Sequence, residues 1–458
     1  MLCVVMKFTK SLLSAFAAIS LAPLAGATDL LEIYHAAQSQ DAVFASARAA
    51  QRAGQEKLPQ GRSLLLPSIN LSANSSYNDN WIQYRGALML PIAPSYPTLN
   101  LPAGSTQFNS NGYSVSLTQP LFRQQNWLAY TEAEFLVAQT DAQFRAAQQN
   151  LILRVAQAYF DVLLAQDSVQ LAEAQKNAIS EQLEQAKRNF EVGTATITDT
   201  YEAQARFDLT HSQEIAASSN LEIKKRALQQ IVNAMPGELQ HLSKALKLEA
   251  PQPGDVEKWV EFAQQNSLQI VVAQAGAELA AKEVTRNRGG HYPTVDLIAN
   301  YAENSTGGGV FGFGNDGHSK VIGVQLNLPL YQGGAVQSKL REAEANHDRV
   351  AEDLENTRRT VALQARQAYL GVVDGIEQVK ALQQALKSSE SLLEASKLGQ
   401  EVGVRTNLDV LNAQQQLYST RRDLYQAEYN YLISQLQLKI ATGTLAEDDL
   451  ARVNQALH

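Results

Sequence analysis

The sequence of 458 residues contains one cysteine and, after its first 27 positions, no apolar run long enough to cross a membrane as a helix. Cys3 precedes an apolar run from Leu12 to Leu24, which is followed by Ala25-Gly26-Ala27. This order is typical of a secretory signal peptide with its cleavage site, and we expect residues 1–27 to be removed. The exported chain would then have no disulfide, no reactive thiolate and no acylated N-terminal cysteine.

The sequence also lacks the residue patterns that nucleic-acid binding or catalysis would need. Its formal net charge of −8 argues against a nucleic-acid partner. The seven histidines are scattered without metal-ligand spacing, and acidic and serine residues are too common to single out a catalytic set. We therefore expect a protein that is not an enzyme and that has no cofactor and no metal site.

Proline is absent between Pro120 and Pro236, and glycine is absent from residue 124 to residue 190. Ala, Leu, Gln, Glu and Arg dominate this stretch, and all five are strong helix formers. The pattern predicts one helix over 124–190, about 100 Å long at a rise of about 1.5 Å per residue. A second helix of similar length is predicted over 335–400. Because no compact domain buries such rods, we expect them to pack along other helices as a coiled coil.

The chain is an internal duplication. EVGTATITDTYEAQ at 191–204 and EVGVRTNLDVLNAQ at 401–414 agree at seven of fourteen positions and lie 210 residues apart. Other stretches repeat in the same order, which predicts two copies of one structural unit. We place the first repeat at 28–247, a proline-rich linker at 248–254 and the second repeat at 255–458.

Each repeat is expected to contain a helix, two strands, a long helix, a turn and a returning helix. The first helix is predicted over about 29–62, the strands over about 66–80, 112–122, 292–304 and 319–331, and the returning helices over 196–233 and 406–443, with a short C-terminal segment after the last.

Apolar and small polar residues alternate along the predicted strands, as in Ile69, Leu71 and Ala73 with Asn70 and Ser72 between them. This alternation fits a barrel strand with lipid on one face, and it equally fits a half-buried strand of a soluble sheet. Four strands cannot close a barrel, since about eight is the practical minimum. A membrane-spanning sheet would therefore require an oligomer.

The duplicated turn contains a glycine and the pattern T-x-x-D. Gly193 and Gly403 are expected to end the long helices in the left-handed conformation. Asp199 and Asp409 then belong to capping boxes of the returning helices, a structural role that requires no pore. A second role at a pore entrance is compatible with this one.

The signal peptide, the duplicated halves, the paired β-hairpins, the long helices and the two VG-x5-D turns together resemble the TolC family of outer-membrane channels. The most specific parts are LPLYQGG at 328–334 and the turn sequences TITD and TNLD. The resemblance covers essentially the whole chain after the signal peptide. It implies an α+β fold in which a trimeric, twelve-stranded outer-membrane β-barrel, with four strands per protomer, continues into a long α-helical coiled-coil tunnel.

The resemblance also implies a function and partners. The protein would be a passive exit duct of a tripartite export system in the cell outer membrane, conducting drugs or secreted proteins from a periplasmic entrance to the exterior. Its implied partners are two further copies forming a homotrimer, outer-membrane lipid, a periplasmic adaptor (membrane fusion protein) and an inner-membrane transporter of the RND, ABC or MFS type. Lacking a cysteine after the signal peptide, the chain is similar to the unacylated branch of the family.

Five residues near the turns take their expected roles from this resemblance. In the family, an arginine of the second turn bridges to an aspartate of a neighbouring turn and holds the entrance shut, which pairs Arg405 with Asp199 here. Asp409 is expected to form a carboxylate ring that attracts cations at the narrowest point. The family's second acidic ring falls on Asn412 and its gate tyrosine on Gln400. These two departures predict a less cation-selective and less tightly latched entrance.

Adaptor docking is expected at the turns themselves, on Val192, Gly193, Val402 and Gly403. The alternative is that the chain is itself a periplasmic coiled-coil adaptor of an export complex. Adaptors usually have one helical hairpin, and the duplicated strands of this chain argue against that alternative.

Overall fold

The computed structural model describes residues 28–83, 88–89, 98–99, 104–242, 246–309 and 313–457. The expected signal peptide and most of the proline-rich loop after the first strand lie outside the described residues. The helices are α1 Leu30–Gln40, α2 Ala42–Gln55, α3 Lys57–Ser63, α4 Gln124–Glu191, α5 Ile197–Val232, α6 Val256–Asn266, α7 Leu268–Arg288, α8 Ala335–Glu401, α9 Asn407–Ala441 and α10 Glu447–Asn454. The strands are β1 Ser68–Ile82, β2 Leu88–Met89, β3 Thr98–Leu99, β4 Gly104–Phe122, β5 Thr294–Thr306 and β6 Asn315–Asn327.

The two long helices expected from the sequence are present, with 68 residues in α4 and 67 in α8. At about 1.5 Å per residue each is about 100 Å long. Helix α5 returns along α4 to make the first hairpin, and α9 returns along α8 to make the second hairpin. The two hairpins also contact each other, mainly through α4 and α9.

Ion pairs between the two helices of a hairpin hold each hairpin together. They are Lys176–Glu214 at 2.6 Å and Lys224–Asp161 at 2.7 Å in the first hairpin, and Arg421–Glu390 at 3.0 Å in the second. The Lys176–Glu214 pair is partly buried, which reduces the solvent screening that weakens surface pairs.

The first helix is interrupted, which corrects the expectation of one helix over 29–62. Asp41 has an extended backbone (φ −67°, ψ 119°), and its side chain accepts a hydrogen bond of 2.8 Å from the backbone N–H of Phe44. An aspartate that caps a new helix in this way ends the previous one. Ser267 has the same backbone geometry between α6 and α7, so the two repeats break their first helix at the same place.

The sheet of four long strands is antiparallel, with the order β1-β4-β5-β6. Strands β4 and β5 belong to different repeats and pair from Ser110↔Thr306 to Phe122↔Val295, which makes the two repeats one sheet. Strand β4 starts at Gly104 rather than at the expected residue 112, because β1 pairs along its whole length with Gly104–Thr118. Strand β6 ends at Asn327 rather than at 331, two residues before Pro329, which cannot donate to a ladder.

The largest apolar core lies where α1, α4, α9 and α10 meet, partway along the long helices. Tyr159, Phe160 and Tyr431 are almost fully buried in it. The Tyr159 hydroxyl donates to the backbone carbonyls of Thr28 and Gln240, which links the long helix to the start of the described chain. This core therefore fixes the middle of the rods, while the hairpin ends project away from it.

None of the helices in the described parts of the chain combines the length and the apolar character that spanning a membrane requires.

Candidate functional site

The two turns at the hairpin ends have the same backbone; we call residues 192–196 the first tip turn and residues 402–406 the second. Each reverses the chain at a glycine with a φ of +78°, Gly193 or Gly403. In each turn two successive backbone N–H groups donate to one carbonyl of the last helical turn, that of Asn189 or that of Gly399, at 2.8–3.2 Å. The left-handed glycine expected in each turn is confirmed, since side chains are strained at this φ.

Both returning helices begin with a capping box. The backbone N–H of Asp199 donates to Thr196 Oγ1 at 3.3 Å, and the N–H of Thr196 donates to Asp199 Oδ2 at 2.8 Å. Thr406 and Asp409 repeat both bonds at 3.2 Å and 2.8 Å. The predicted structural role of both aspartates is therefore confirmed, and each also places a negative charge at a helix N-terminus.

The second tip turn carries a cation, Arg405, where the first carries Ala195. Arg405 Nη1 lies 3.7 Å from Asp409 Oδ1, one helical turn away. The two side chains are 53% and 38% exposed, so solvent weakens this pair and Arg405 is available to another partner. The N–H and then the hydroxyl of Thr406 donate to Asp409, and with the Arg405 charge they hold the pKa of Asp409 below its ordinary value.

The expected pair of Arg405 and Asp199 joins two different copies, and it stays a prediction. Within one chain, Arg405 contacts Asp409 of its own turn, and Asp199 is hydrogen-bonded to Thr196.

The Arg405 side chain rests on Gly399, a residue that the sequence analysis missed. A Cβ atom at Gly399 would stand only 2.6 Å from Arg405 Cγ, so the glycine leaves the room that the arginine stem occupies. The matching positions of the first tip turn hold Asn189 and Ala195. The first repeat has the larger residue at the helix position and the smaller one in the turn, whereas the second repeat has glycine in the helix and arginine in the turn. Comparing the two repeats position by position would have revealed this difference.

Gln400 and Asn412, the two positions that depart from the family pattern, both form side-chain hydrogen bonds. Gln400 Nε2 donates to Asn407 Oδ1 at 3.3 Å and stays within its own turn. Asn412 Oδ1 accepts a hydrogen bond of 3.0 Å from Nη2 of Arg206, a residue of the first hairpin. The sequence offers no local signal for Arg206, because its partner is 206 residues away.

Apolar side chains cover the outer end of each turn. Val192, Val402 and Val404 are all largely exposed, although each stands at a hairpin end among polar neighbours. Water-exposed apolar groups of this kind mark contact surfaces when they cluster. In the described part of the chain no group of His, Cys, Asp and Glu side chains is placed to hold a metal ion.

Comparison with known proteins gives one consistent result. The model of the family "Outer membrane efflux protein" matches residues 33–234 and 259–444, which correspond to the two halves. The chain is 35% identical to the outer membrane protein TolC of Vibrio cholerae over 453 residues, covering 98% of this chain and 99% of that protein. It is 29% identical to the proteases secretion protein PrtF of Dickeya chrysanthemi, covering 94% and 91%. The CmeC outer membrane channel of Campylobacter jejuni has the same fold, with a TM-score of 0.76, 17% identity and coverage of 93% and 89%.

Proposed function

We propose, since this chain belongs to the outer membrane efflux protein family, that three copies form a passive outer-membrane channel whose periplasmic entrance is gated by the tip turns. Export through the outer membrane is the role that the family description carries. The trimer, the gate and the partners are the finer part of the proposal. The alternative of a periplasmic adaptor is set aside because the family is described as outer membrane efflux proteins and the solved neighbour CmeC is described as an outer membrane channel.

The sheet supports assembly from several copies. Its outermost strands, β1 and β6, each have one unpaired edge within the described chain. Exposed apolar side chains stand at alternate positions on both, including Ile69 and Leu71 on β1 and Ile322, Val324 and Leu326 on β6. Three copies joined edge to edge give a closed sheet with one apolar surface, which is the requirement for crossing a lipid bilayer.

The gate rests on one observation: the tip turns share backbone and caps but differ in charge. The carboxylate of Asp409 lies 3.7 Å from Arg405 in the same chain, and this contact is too exposed and too long to hold the arginine firmly. In the trimer it pairs with Asp199 of the neighbouring copy, and these bridges keep the entrance closed. Asp409 lines the constriction and attracts cations.

The test is single-channel conductance of the purified protein in planar bilayers. Arg405→Ser is expected to raise the conductance because it removes the bridge, and to raise the flux of an uncharged oligosaccharide as well, which a change of charge alone would not do. Ala195→Ser, at the matching position of the first tip turn, is the control and should leave conductance unchanged. Equal conductance of Arg405→Ser and the unmodified protein would contradict the gate.

The exposed valines support docking of a periplasmic adaptor at the tip turns, around Gly193 and Gly403. A charge at Val402 would be placed in the apolar contact and would be desolvated there. Val402→Glu is therefore expected to abolish export in a complemented deletion strain while the reconstituted channel conducts normally. Loss of conductance would instead indicate that the substitution damages the channel itself.

The cargo is proposed from the relatives' names. The family is named for efflux, and the relative from Dickeya chrysanthemi is named for secretion of proteases. An inner-membrane transporter of the RND, ABC or MFS type would supply a small molecule or a polypeptide accordingly. A deletion strain assayed for both drug susceptibility and loss of a secreted protein separates the two cargoes.

A further inference from the structure

Arg206 connects the two hairpins of one chain near their ends. Its guanidinium donates from Nη1 to Gln415 Oε1 at 2.6 Å and from Nη2 to Asn412 Oδ1 at 3.0 Å. We propose that Arg206 is a second latch of the entrance, internal to each protomer, which holds the second hairpin against the first. This inference rests on the proposed gating function and assigns a further residue to it.

The geometry suits a latch because one rigid group spans two acceptors. Asn412 and Gln415 are three residues apart on α9, so their side chains lie on the same face of that helix. The planar fork of an arginine presents parallel N–H donors to such a pair. Lysine, a point charge on a flexible stem, would not reproduce this geometry.

The position is close to the entrance. Arg206 lies nine residues after the start of α5 and Asn412 five residues after the start of α9, which places them about 14 and about 8 Å from the tip turns. Leu411, beside Asn412, packs into the apolar cluster of the first hairpin. That cluster contains Ile179, Leu183, Ala186 and Ala203, with Phe207 partly buried against it. The Arg206 contact therefore lies beside an apolar contact between the two hairpins.

The contacts within each hairpin are stronger than the Arg206 contact between the hairpins, so each hairpin behaves as one unit. Within a hairpin the helices are joined by ion pairs, such as Lys176–Glu214 at 2.6 Å. Between the hairpins near the tip, Arg206 bonds to two uncharged amide oxygens. An ion pair has Coulomb attraction between two full charges, which a charged donor bonded to a neutral amide oxygen lacks. Each hairpin should therefore stay intact when the two separate, which is what a latch between rigid parts requires.

Residue 412 sets how firmly this latch holds. A carboxylate at that position would form an ion pair with Arg206, whereas the amide of Asn412 forms only a charge-to-dipole bond. The asparagine thus gives a contact that can be broken and remade more easily.

Flux of an uncharged oligosaccharide into liposomes that contain the whole channel tests the latch. A neutral solute is needed because removing a positive charge near a pore changes ion currents without any opening. Arg206→Gln is expected to raise the flux about fivefold, as loss of a moderately strong hydrogen-bonded contact would. The control is Arg226→Gln, since Arg226 is on the same helix and its hydrogen-bond partners among the described residues, Glu222 and Gln229, belong to that helix.

Asn412→Asp supplies the opposite change. In the presence of Arg206 it is expected to lower the flux below that of the unmodified channel, and in the Arg206→Gln background it should have no such effect. An equal effect in both backgrounds would overturn the latch, because the change would not act through Arg206.

Arg405→Ser, measured in parallel, separates this inference from the proposed function. If Arg405→Ser raises the flux and Arg206→Gln does not, the internal latch is wrong and the gate between copies stands. If neither variant raises the flux, the gating function fails together with the inference.

Discussion

Arg123 and Asp296 join the two repeats at the place where the sheet meets the long helices. Arg123 Nε and Nη2 donate to the two carboxylate oxygens of Asp296 at 2.7 Å and 2.6 Å. Arg123 stands between β4 and α4, while Asp296 is on β5 of the other repeat and is 7% exposed. The pair therefore fixes the direction in which α4 leaves the sheet.

Asp296→Ala is expected to destabilise the folded protein. It leaves the Arg123 guanidinium without its partner in a partly buried site, a loss we estimate at about 2 kcal/mol. The midpoint of thermal loss of helical circular dichroism should fall. Asp353→Ala is the control, since Asp353 forms an exposed pair with Arg349 along one helix and should change the midpoint little. Equal midpoints for the two variants would contradict a role for the Arg123–Asp296 pair.

Gly399→Ala is expected to act on the gate without touching a charged residue. Its Cβ would stand 2.6 Å from Arg405 Cγ, so the arginine must move away from its place in the second tip turn. We predict a conductance increase in the same direction as that of Arg405→Ser. Gly371→Ala, on the same helix with its nearest side-chain atom at 3.5 Å, should leave conductance unchanged.

Asp409→Ala is expected to weaken the block of the channel by multivalent cations. In the unmodified protein the block should persist to acidic pH, because the pKa of Asp409 is held below its ordinary value of 3.8. A depressed pKa keeps the carboxylate charged until the pH falls through that lower value. Block curves that nearly coincide at about pH 7 and about pH 4 would agree with this, because an aspartate of ordinary pKa would be close to half protonated at the lower pH. Asp208→Ala, which removes a carboxylate further along α5, should leave the block unaltered.

Glu428→Gln is expected to stabilise the protein at alkaline but not at acidic pH. Burial, and then the nearby charge of Asp167, raise the pKa of Glu428 from 4.5 to about 7, against the opposing hydrogen bond to Gln383. The folded state therefore holds a proton that the unfolded state releases. Its stabilising contribution is complete below pH 4.5 and is lost as the pH rises toward about 7.

The melting temperature of Glu428→Gln, relative to the unmodified protein, should therefore increase between about pH 5 and about pH 8. Glu377→Gln is the matched control on α8, because Glu377 is exposed and its ion-pair partner in the described part of the chain is Lys380 of the same helix. If the difference in melting temperature between Glu428→Gln and the unmodified protein is the same at both pH values, Glu428 does not titrate in this range.

Local sequence patterns predicted most of the fold. The absence of proline and glycine fixed α4 to within one residue of its observed end at Glu191. The interruption at Asp41 was missed, although an aspartate is a common helix cap, because a polar residue in a helical run is more often simply exposed. The end of β6 was placed too late because alternation continues past Asn327 while hydrogen bonding does not.

Some features of the candidate site could likewise be predicted from local sequence, and others could not. The tip turns and their caps are local, and glycine with T-x-x-D was enough to predict them. Gly399 and Arg206 were missed because their roles come from side chains that meet only in the folded chain. Arg206 reaches residues more than 200 positions away, and no spacing within α5 reveals that contact.

The sheet order has a consequence for how copies come together. One copy has two unpaired strand edges, at β1 and at β6, where backbone N–H and C=O groups lack partners in the described chain. When two copies pair through β1 of one and β6 of the other, the pair still has one unpaired β1 edge and one unpaired β6 edge. Any linear chain of copies has the same two unpaired edges. Unpaired strand edges bind other strands and promote aggregation. Only ring closure removes both at once, so incomplete assemblies should be scarce and short-lived, and membrane insertion should favour the finished ring.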